Sequence, residues 1–97
     1  MGNLALTYSS QGRWKEAEEL ELQVMETSRR VLGQEHQNTL ISMGNLALTY
    51  LYRGRWKEAE ELELQVIEIR KRLLGQEHLD TLISMGNLAL IYSSQGR

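Results

Sequence analysis

Several features that would point to particular functions are absent from this sequence of 97 residues. It has no cysteine, which excludes a disulfide framework and thiolate metal ligands. No apolar run approaches the roughly 18 residues of a membrane span, and the first residues lack the basic and apolar regions of a signal peptide. The formal net charge of −2 lacks the clustered positive excess of nucleic-acid and anionic-membrane binders. We therefore expect a soluble, cytoplasmic protein without nucleic-acid or membrane partners.

What the sequence contains is a repeat. The hexamer MGNLAL begins at Met1, Met43 and Met85, at a spacing of 42 residues. Aligning 43–84 with 1–42 leaves ten differences, so 32 of 42 positions agree, and 85–97 matches 1–13 except that Ile91 replaces Thr7. A period between about 20 and 50 residues is typical of a stacked array. We predict a single array over 1–97: repeat 1 at 1–42, without the start of its first helix, repeat 2 at 43–84 and a partial repeat 3 at 85–97.

The first segment of each repeat is predicted to be a helix that is apolar on nearly all sides. In the second copy it is TLISMGNLALTYLYR, from Thr39 to about Arg53. A helix of this kind is enclosed by other helices. We expect this helix A to start from Asn38, or Asp80 in the next copy, whose side-chain oxygen can accept from the first-turn amides, and to end at Gly54.

The second segment, WKEAEELELQVIEIRKRLLG, has one apolar stripe with a spacing of three or four residues. Its members are Trp56, Ala59, Leu62, Val66, Ile69 and Leu73. The opposite face is mostly Glu, Gln and Lys, so this helix B is expected on the outside, ending at Gly75. No segment alternates with period two, and we expect no strands. The prediction is an all-α array of about five helices, ordered A, B, A, B, A and stacked as antiparallel hairpins, with helix A on the concave face.

The stretch NLALTYLYRGRWKEAEEL resembles the core of a tetratricopeptide repeat (TPR). The matching positions are Leu46, Ala47 and Tyr50 in the first helix, Gly54 in the turn, the aromatic Trp56, and the small Ala59 that lets the two helices approach. The 42-residue period, with NLAL, GRWKEAEEL and LGQEH, is most similar to the longer repeats of kinesin light chains and related arrays. The resemblance covers all 97 residues and implies a right-handed α-solenoid that serves as a non-enzymatic protein-interaction scaffold without a cofactor.

The sequence departs from the family pattern at two places. The proline that commonly precedes the next first helix is replaced by Gln37 and Leu79, so we expect a less rigid turn between repeats. The usual acidic or polar cap of the second helix is Arg13 or Arg55. The start of helix B is therefore expected to depend on packing of Trp14 or Trp56 and to fray.

The resemblance also implies a groove along helix A that binds extended or helical peptide segments. The asparagine of each MGNLAL can hold a ligand's main chain, or it can hydrogen-bond across neighbouring A helices, and both interpretations stay open. The middle copy has Leu51, Tyr52 and Arg53 where its neighbours have Ser-Ser-Gln, which indicates either partner discrimination or drift. The inner positions lack charge, which disfavours a carboxylate clamp. The candidate groove residues are Asn3, Asn45, Asn87, Ile41, Leu48, Tyr52 and Arg53.

We expect no catalytic and no metal-binding residues. The pairs Glu35-His36 and Glu77-His78 lack a nucleophile, an orienting group and metal-ligand spacing, so they are expected to be turn residues. Trp14 and Trp56 are in phase with the core stripe and are expected in the core. Gly44, inside helix A, suggests close approach of a neighbouring helix or a ligand.

The alternative function is that of a self-assembling spacer with no peptide ligand. Met1 enters in the middle of a helix and 97 is reached at the end of another, so the chain looks like an excerpt from a longer array. Because the copies are nearly identical, the last face of one molecule should fit the first face of the next. We expect head-to-tail or swapped association in that case.

Overall fold

The computed structural model describes residues 14–96, which form four α-helices and contain no strand within that range. The helices are α1 (Trp14–Leu32), α2 (Gln37–Tyr52), α3 (Trp56–Leu74) and α4 (Leu79–Ser94). The all-α prediction is confirmed, and α1 and α3 are the predicted B helices, whereas α2 and α4 are A helices. The first predicted helix and Asn3 lie outside the described residues.

Successive helices pack as hairpins joined by short turns. Each helix contacts the next one in the chain, and α2 also contacts α4. In a solenoid, the helices that approach each other from one repeat to the next share one side of the array, and the amphipathic helices share the other. If the predicted groove exists, it lies on the side of the array that α2 and α4 share.

The core is centred on α2, the helix that is apolar on nearly all sides. One cluster is formed by residues of α1, α2 and α3. Its members are Met25, Leu40, Met43, Leu46, Val66 and Ile69. A second cluster joins α2, α3 and α4, through Leu51, Ala59 and Ile91. Ala59 is fully buried between two larger side chains, in agreement with the role predicted for a small residue at this position.

Glycine ends these helices where the sequence predicts it. Gly54 and Gly75 have φ angles of +79° and +98°, in the left-handed region that side chains with a Cβ rarely adopt. The Gly75 amide donates to the carbonyl oxygen of Lys71, which would otherwise lack a partner at the end of α3.

The predicted start of helix A is wrong by a short distance, and the capping residue is different. α2 begins at Gln37, and its cap is His36, whose Nδ1 accepts from the backbone amide of Asn38 at 3.0 Å. In the next copy, His78 Nδ1 accepts from the amide of Asp80 at 3.1 Å. Asn38 and Asp80 therefore contribute their amides rather than side-chain oxygens. An exposed imidazole with an unprotonated nitrogen satisfies the same free donor that an Asn or Asp cap would.

The start of α3 is held differently from the prediction. The Arg55 side chain makes no capping hydrogen bond to the backbone amides of the first turn, as expected, but Trp56 is 40% exposed and so does not lie in the core. The Arg55 guanidinium instead pairs with Glu18 and Glu58, at 2.8 and 3.1 Å. These ion pairs are contacts at the start of α3 that the sequence did not predict, and the fraying of this end stays a prediction.

The mid-helix glycines do not mark a close approach between the A helices. A Cβ added at Gly44 or Gly86 would have no atom of the described residues within 4 Å. The expectation that a neighbouring helix requires glycine at Gly44 is therefore wrong for the contact between α2 and α4. Close approach of a ligand at this point is not tested.

Candidate functional site

Four of the predicted groove residues lie on one face of α2. Ile41, Asn45, Leu48 and Tyr52 follow one another at intervals of four, three and four residues, which places them along a single stripe. Ile41, Asn45 and Tyr52 are exposed, and Leu48 is half-buried. α2 thus presents an aliphatic side chain, an amide and an aromatic ring to solvent, and the half-buried Leu48 between them packs against the second core cluster. We name these four residues the α2 stripe.

The equivalent positions of α4 continue the same surface. Ile83 and Leu90 are exposed and Asn87 is half-buried, and we name these three residues the α4 stripe. Because α2 contacts α4, the two stripes occur on neighbouring helices. Ile83 and Leu90 were not among the predicted site residues, although adding 42 to Ile41 and Leu48 would have found them.

The MGNLAL asparagines of the second and third copies are in different surroundings. Asn45 is exposed on α2. The amide of Asn87 faces the Glu63 carboxyl group of α3 and acts to lower its pKa, although the two side chains do not reach hydrogen-bonding geometry. Asn87 is therefore directed toward a B helix and not across to the neighbouring A helix, which is the alternative that the sequence suggested.

The three residues peculiar to the middle copy all make contacts within the chain. Leu51 is buried in the second core cluster. The Tyr52 ring lies against Trp14, with ring centroids 5.6 Å apart and planes tilted by 46°. Arg53 Nη1 donates to Glu18 Oε1 at 2.6 Å. Arg53 thus has an internal counter-ion, whereas more than half of Tyr52 stays available to a partner.

Glu18 and Arg55 are the centre of a polar network that the sequence analysis missed. Besides its two carboxylates, the Arg55 guanidinium lies 4.8 Å from the centroid of the Tyr50 ring. The hydrogen bond to Glu58 raises the pKa of Arg55, and burial raises the pKa of Tyr50. The pKa of Glu58 is lowered by its own backbone amide and by Arg55. All three shifts favour the usual charge states of Arg55, Tyr50 and Glu58 at neutral pH.

Two equivalent acids on the B helices are shielded from solvent, Glu21 being half-buried and Glu63 buried. Oε1 of Glu21 accepts a hydrogen bond from the Thr49 hydroxyl, and burial raises the pKa of this carboxyl group while the hydrogen bond opposes the rise. Burial raises the pKa of Glu63 to about 7, against the Asn87 amide and the charge of Arg70. Both acids occur among several glutamates of the WKEAEELELQV segment, and only helical phase could have singled them out.

A cavity of about 170 Å³ lies beside the turns that precede α2 and α4. Its lining includes Leu40, Leu73, Arg70 and His78, and the two polar residues among these already make hydrogen bonds within the chain. Arg70 Nη1 donates to the Asp80 carbonyl oxygen at 3.2 Å and to Ser84 Oγ at 2.8 Å, and His78 caps α4. Within residues 14–96, no group of three or more histidine or carboxylate side chains is arranged to hold a metal ion. The helices of this range also lack one long and apolar enough to cross a membrane.

Comparison with known proteins agrees with the arrangement of the helices. A family model described as tetratricopeptide repeat matches residues 1–72. Two crystal structures of a Podosopora anserina putative kinesin light chain with nearly identical TPR-like repeats, one of them of a variant with a single substitution, each share 37% sequence identity with this chain at a TM-score of 0.91. The match covers 97% of this chain and 44% of each of those chains, so the chain spans less than half their length. No curated protein matches it.

Proposed function

Because this chain belongs to the tetratricopeptide repeat family, whose members generally serve as protein-interaction scaffolds, we propose that it is a non-enzymatic scaffold that binds a partner's peptide segment along α2 and α4. The observation that supports this proposal is the pair of stripes, mostly exposed, on two helices that contact each other. Aliphatic side chains that stay outside the core at matching positions of two repeats form a surface that a partner can desolvate.

The chemistry of the stripes favours a neutral, apolar peptide. The seven residues of the α2 and α4 stripes include no charged side chain, so they offer no counter-ion to a terminal carboxylate. Ile41, Leu48, Ile83 and Leu90 would accept apolar side chains of the peptide. Asn45 can bind its backbone through one acceptor and two donor hydrogens, and Tyr52 would be the aromatic anchor. Asn3 and Arg53 complete the proposed groove, Arg53 at its margin because it is paired with Glu18.

The experiment is a peptide selection followed by calorimetry with the selected peptide. We expect saturable binding with one peptide per chain. Ile41→Asp should abolish it, whereas Leu64→Asp, on α3, should not, and the two side chains are matched in exposure at 43% and 42%. Asn45→Ala and Tyr52→Ala should each weaken binding. A selected peptide whose affinity is unchanged by Ile41→Asp, Asn45→Ala and Tyr52→Ala would place the binding surface elsewhere.

A specific observation also favours the second candidate function, self-assembly. Leu82 of α4 is 49% exposed, whereas its equivalent Leu40 of α2 is 3% exposed because α3 packs over it. Met85 and Met43 differ in the same way. A helix like α1 from a second molecule would fit this face of α4, giving head-to-tail or swapped association.

Sedimentation velocity over a wide concentration range separates the two candidates. Assembly predicts species that grow with concentration and that Leu82→Asp eliminates, whereas Ile41→Asp leaves them unchanged. A groove scaffold without assembly predicts a monomer at every concentration. The division into repeats at 1–42, 43–84 and 85–97 and the cytoplasmic location remain predictions, which limited proteolysis and microscopy of the tagged protein would test.

A further inference from the structure

A carboxyl group without a partner lies in the contact between α3 and α4. Glu63 is 1% exposed, both of its carboxylate oxygens are enclosed, and neither is hydrogen-bonded to any of the described residues. Burial removes the water that would solvate a carboxylate, so the charged form is disfavoured there. The protonated carboxyl group is favoured in this site, because it is neutral and loses less solvation free energy on burial than a carboxylate does.

The preceding hairpin shows the same carboxyl group with a partner. Glu21 stands 42 residues before Glu63, and its carboxylate accepts a hydrogen bond from the hydroxyl of Thr49 on α2. The α4 residue equivalent to Thr49 is Ile91, which is fully buried and has no hydrogen-bond donor in its side chain. One change between the copies, from threonine to isoleucine, therefore removes the hydroxyl group from the second contact.

We propose that α4 docks on α3 with Glu63 protonated, so that ionisation of Glu63 loosens α4 while α2 stays docked on α1. α4 is then the more pH-sensitive of the two A helices among the described residues. Undocking gives the carboxylate access to water, and docking returns a proton to it. The contact between α1 and α2 serves as an internal reference, because its carboxylate keeps the Thr49 hydroxyl.

The other groups around Glu63 do not replace the missing partner. The Asn87 amide of α4 faces the carboxyl group and opposes the rise of its pKa, but it does not reach hydrogen-bonding geometry with either oxygen. α3 packs against α2, which has no charged residue, and against α4, whose only charged residue is Asp80. The positive charge of Arg70 on α3 lowers the pKa of Glu63 without a hydrogen bond between them. Nη1 of Arg70 donates instead to the backbone carbonyl oxygen of Asp80 and to the hydroxyl of Ser84. Of the tyrosines on the two packed helices, Tyr50 lies in the network around Glu18 and Arg55, and Tyr52 lies against Trp14. The hydroxyl of Tyr92 donates to Glu60 at 3.4 Å.

The sign of the effect follows from proton linkage. Burial raises the pKa of Glu63 from 4.5 to about 7, so the docked state binds the proton more tightly than the undocked state. Docking is strongest below about pH 4.5, weakens as pH rises through the interval up to about 7, and is constant above it. Because one proton is involved, the equilibrium for opening of α4 changes by at most about tenfold per pH unit.

The test compares amide hydrogen exchange of α4 and α2 at two pH values. The exchange rates are measured under conditions in which they report the equilibrium for opening of each helix. They are divided by the intrinsic exchange rate at each pH. Between pH 5.5 and 7.5, opening of α4 should increase roughly twentyfold, the amount expected for one proton bound with the two pKa values above. Opening of α2 should change much less.

Variants assign this pH dependence to Glu63. Glu63→Gln, which keeps the shape of the neutral acid, should remove the pH dependence from α4, and Ile91→Thr should reduce it by restoring a hydroxyl. Glu21→Gln removes the same charge from the other contact and should leave the pH dependence of α4 intact. An α4 that opens equally at both pH values, or a Glu63→Gln variant with the pH dependence of the original protein, overturns the proposal.

A direct titration keeps the proposal testable even if a variant fails to fold. The side-chain carboxyl carbon of Glu63, followed by carbon-13 NMR in the original protein, should titrate with a midpoint near 7, well above the ordinary value of 4.5. A midpoint near 4.5 for Glu63 overturns the proposal.

Discussion

Oε2 of Glu18 lies 2.8 Å from Nη1 of Arg55, so an acid of α1 is bonded to the residue that precedes α3. The other carboxylate oxygen of Glu18 pairs with Arg53, in the same turn. One side chain thereby connects the first described helix to the turn that follows the second. At the equivalent position in the next hairpin, Glu60 accepts a hydrogen bond from Tyr92.

This relationship predicts that the turn between α2 and α3 loses stability when Glu18 is made neutral. Glu18→Gln should lower the free energy of unfolding at low salt, and the difference from the original protein should shrink at about 1 M NaCl, because screening weakens the pairs that are lost. Urea unfolding at the two salt concentrations measures this. Glu19→Gln, a neighbouring change of the same charge at an exposed position, should have little effect; equal losses from the two variants would contradict the role of Glu18.

The histidine caps predict a second effect. His78→Ala leaves the amide of Asp80 without its side-chain acceptor and should lower the free energy of unfolding by about 1 kcal/mol, as at other capped helices. His78→Asn should recover most of the loss, since asparagine is a strong cap. Gln76→Ala, in the same turn, is the control. Denaturant unfolding checks all three, and a His78→Ala variant as stable as Gln76→Ala would argue against capping.

The glycines inside and after helix A should respond in opposite ways to alanine. Gly44→Ala meets no described atom within 4 Å and should raise the free energy of unfolding by about 0.5–1 kcal/mol, because alanine loses less backbone entropy in a helix. Gly54→Ala should lower it by about 1 kcal/mol or more, since the φ of +79° is strained for a residue with a Cβ. Thermal unfolding of the two variants gives the signs. If Gly44→Ala also weakens peptide binding, a ligand approaches the backbone at this point.

Ala59 predicts the cost of a larger side chain between helices. It is fully buried and packs with Leu51 and Ile91, so Ala59→Leu should lower the free energy of unfolding by about 1–3 kcal/mol through overpacking. The same analysis of Glu61→Leu, at an exposed position of the same helix, controls for the change in helix propensity and charge. A stable Ala59→Leu variant with unchanged amide exchange in α4 would show that the contact can expand without loss.

Much of the fold could be predicted from the sequence, because helical periodicity and glycine act locally. The apolar stripe of the segment from Trp56 can be seen in that segment alone. Gly54 and Gly75 can be expected to have a positive φ, because glycine is the residue that adopts this backbone conformation without strain. The α2 stripe could also be predicted, because the 42-residue repeat places Ile41 and Asn45 in register with Ile83 and Asn87. The caps could not: asparagine is the commoner cap, and only the backbone conformation of His36 brings its Nδ1 to the amide of Asn38.

The sequence by itself determined the class of the fold, the family and the order of the helices, since each depends on patterns that recur along the chain. Tertiary structure decided the surroundings of individual side chains. It buried the Glu63 carboxyl group without a hydrogen bond, paired Arg53 and Arg55 with Glu18, and left Trp56 exposed. The physical reason is that burial and pairing depend on which residues of separate helices come into contact. A single substitution between two nearly identical repeats therefore gives equivalent residues different surroundings.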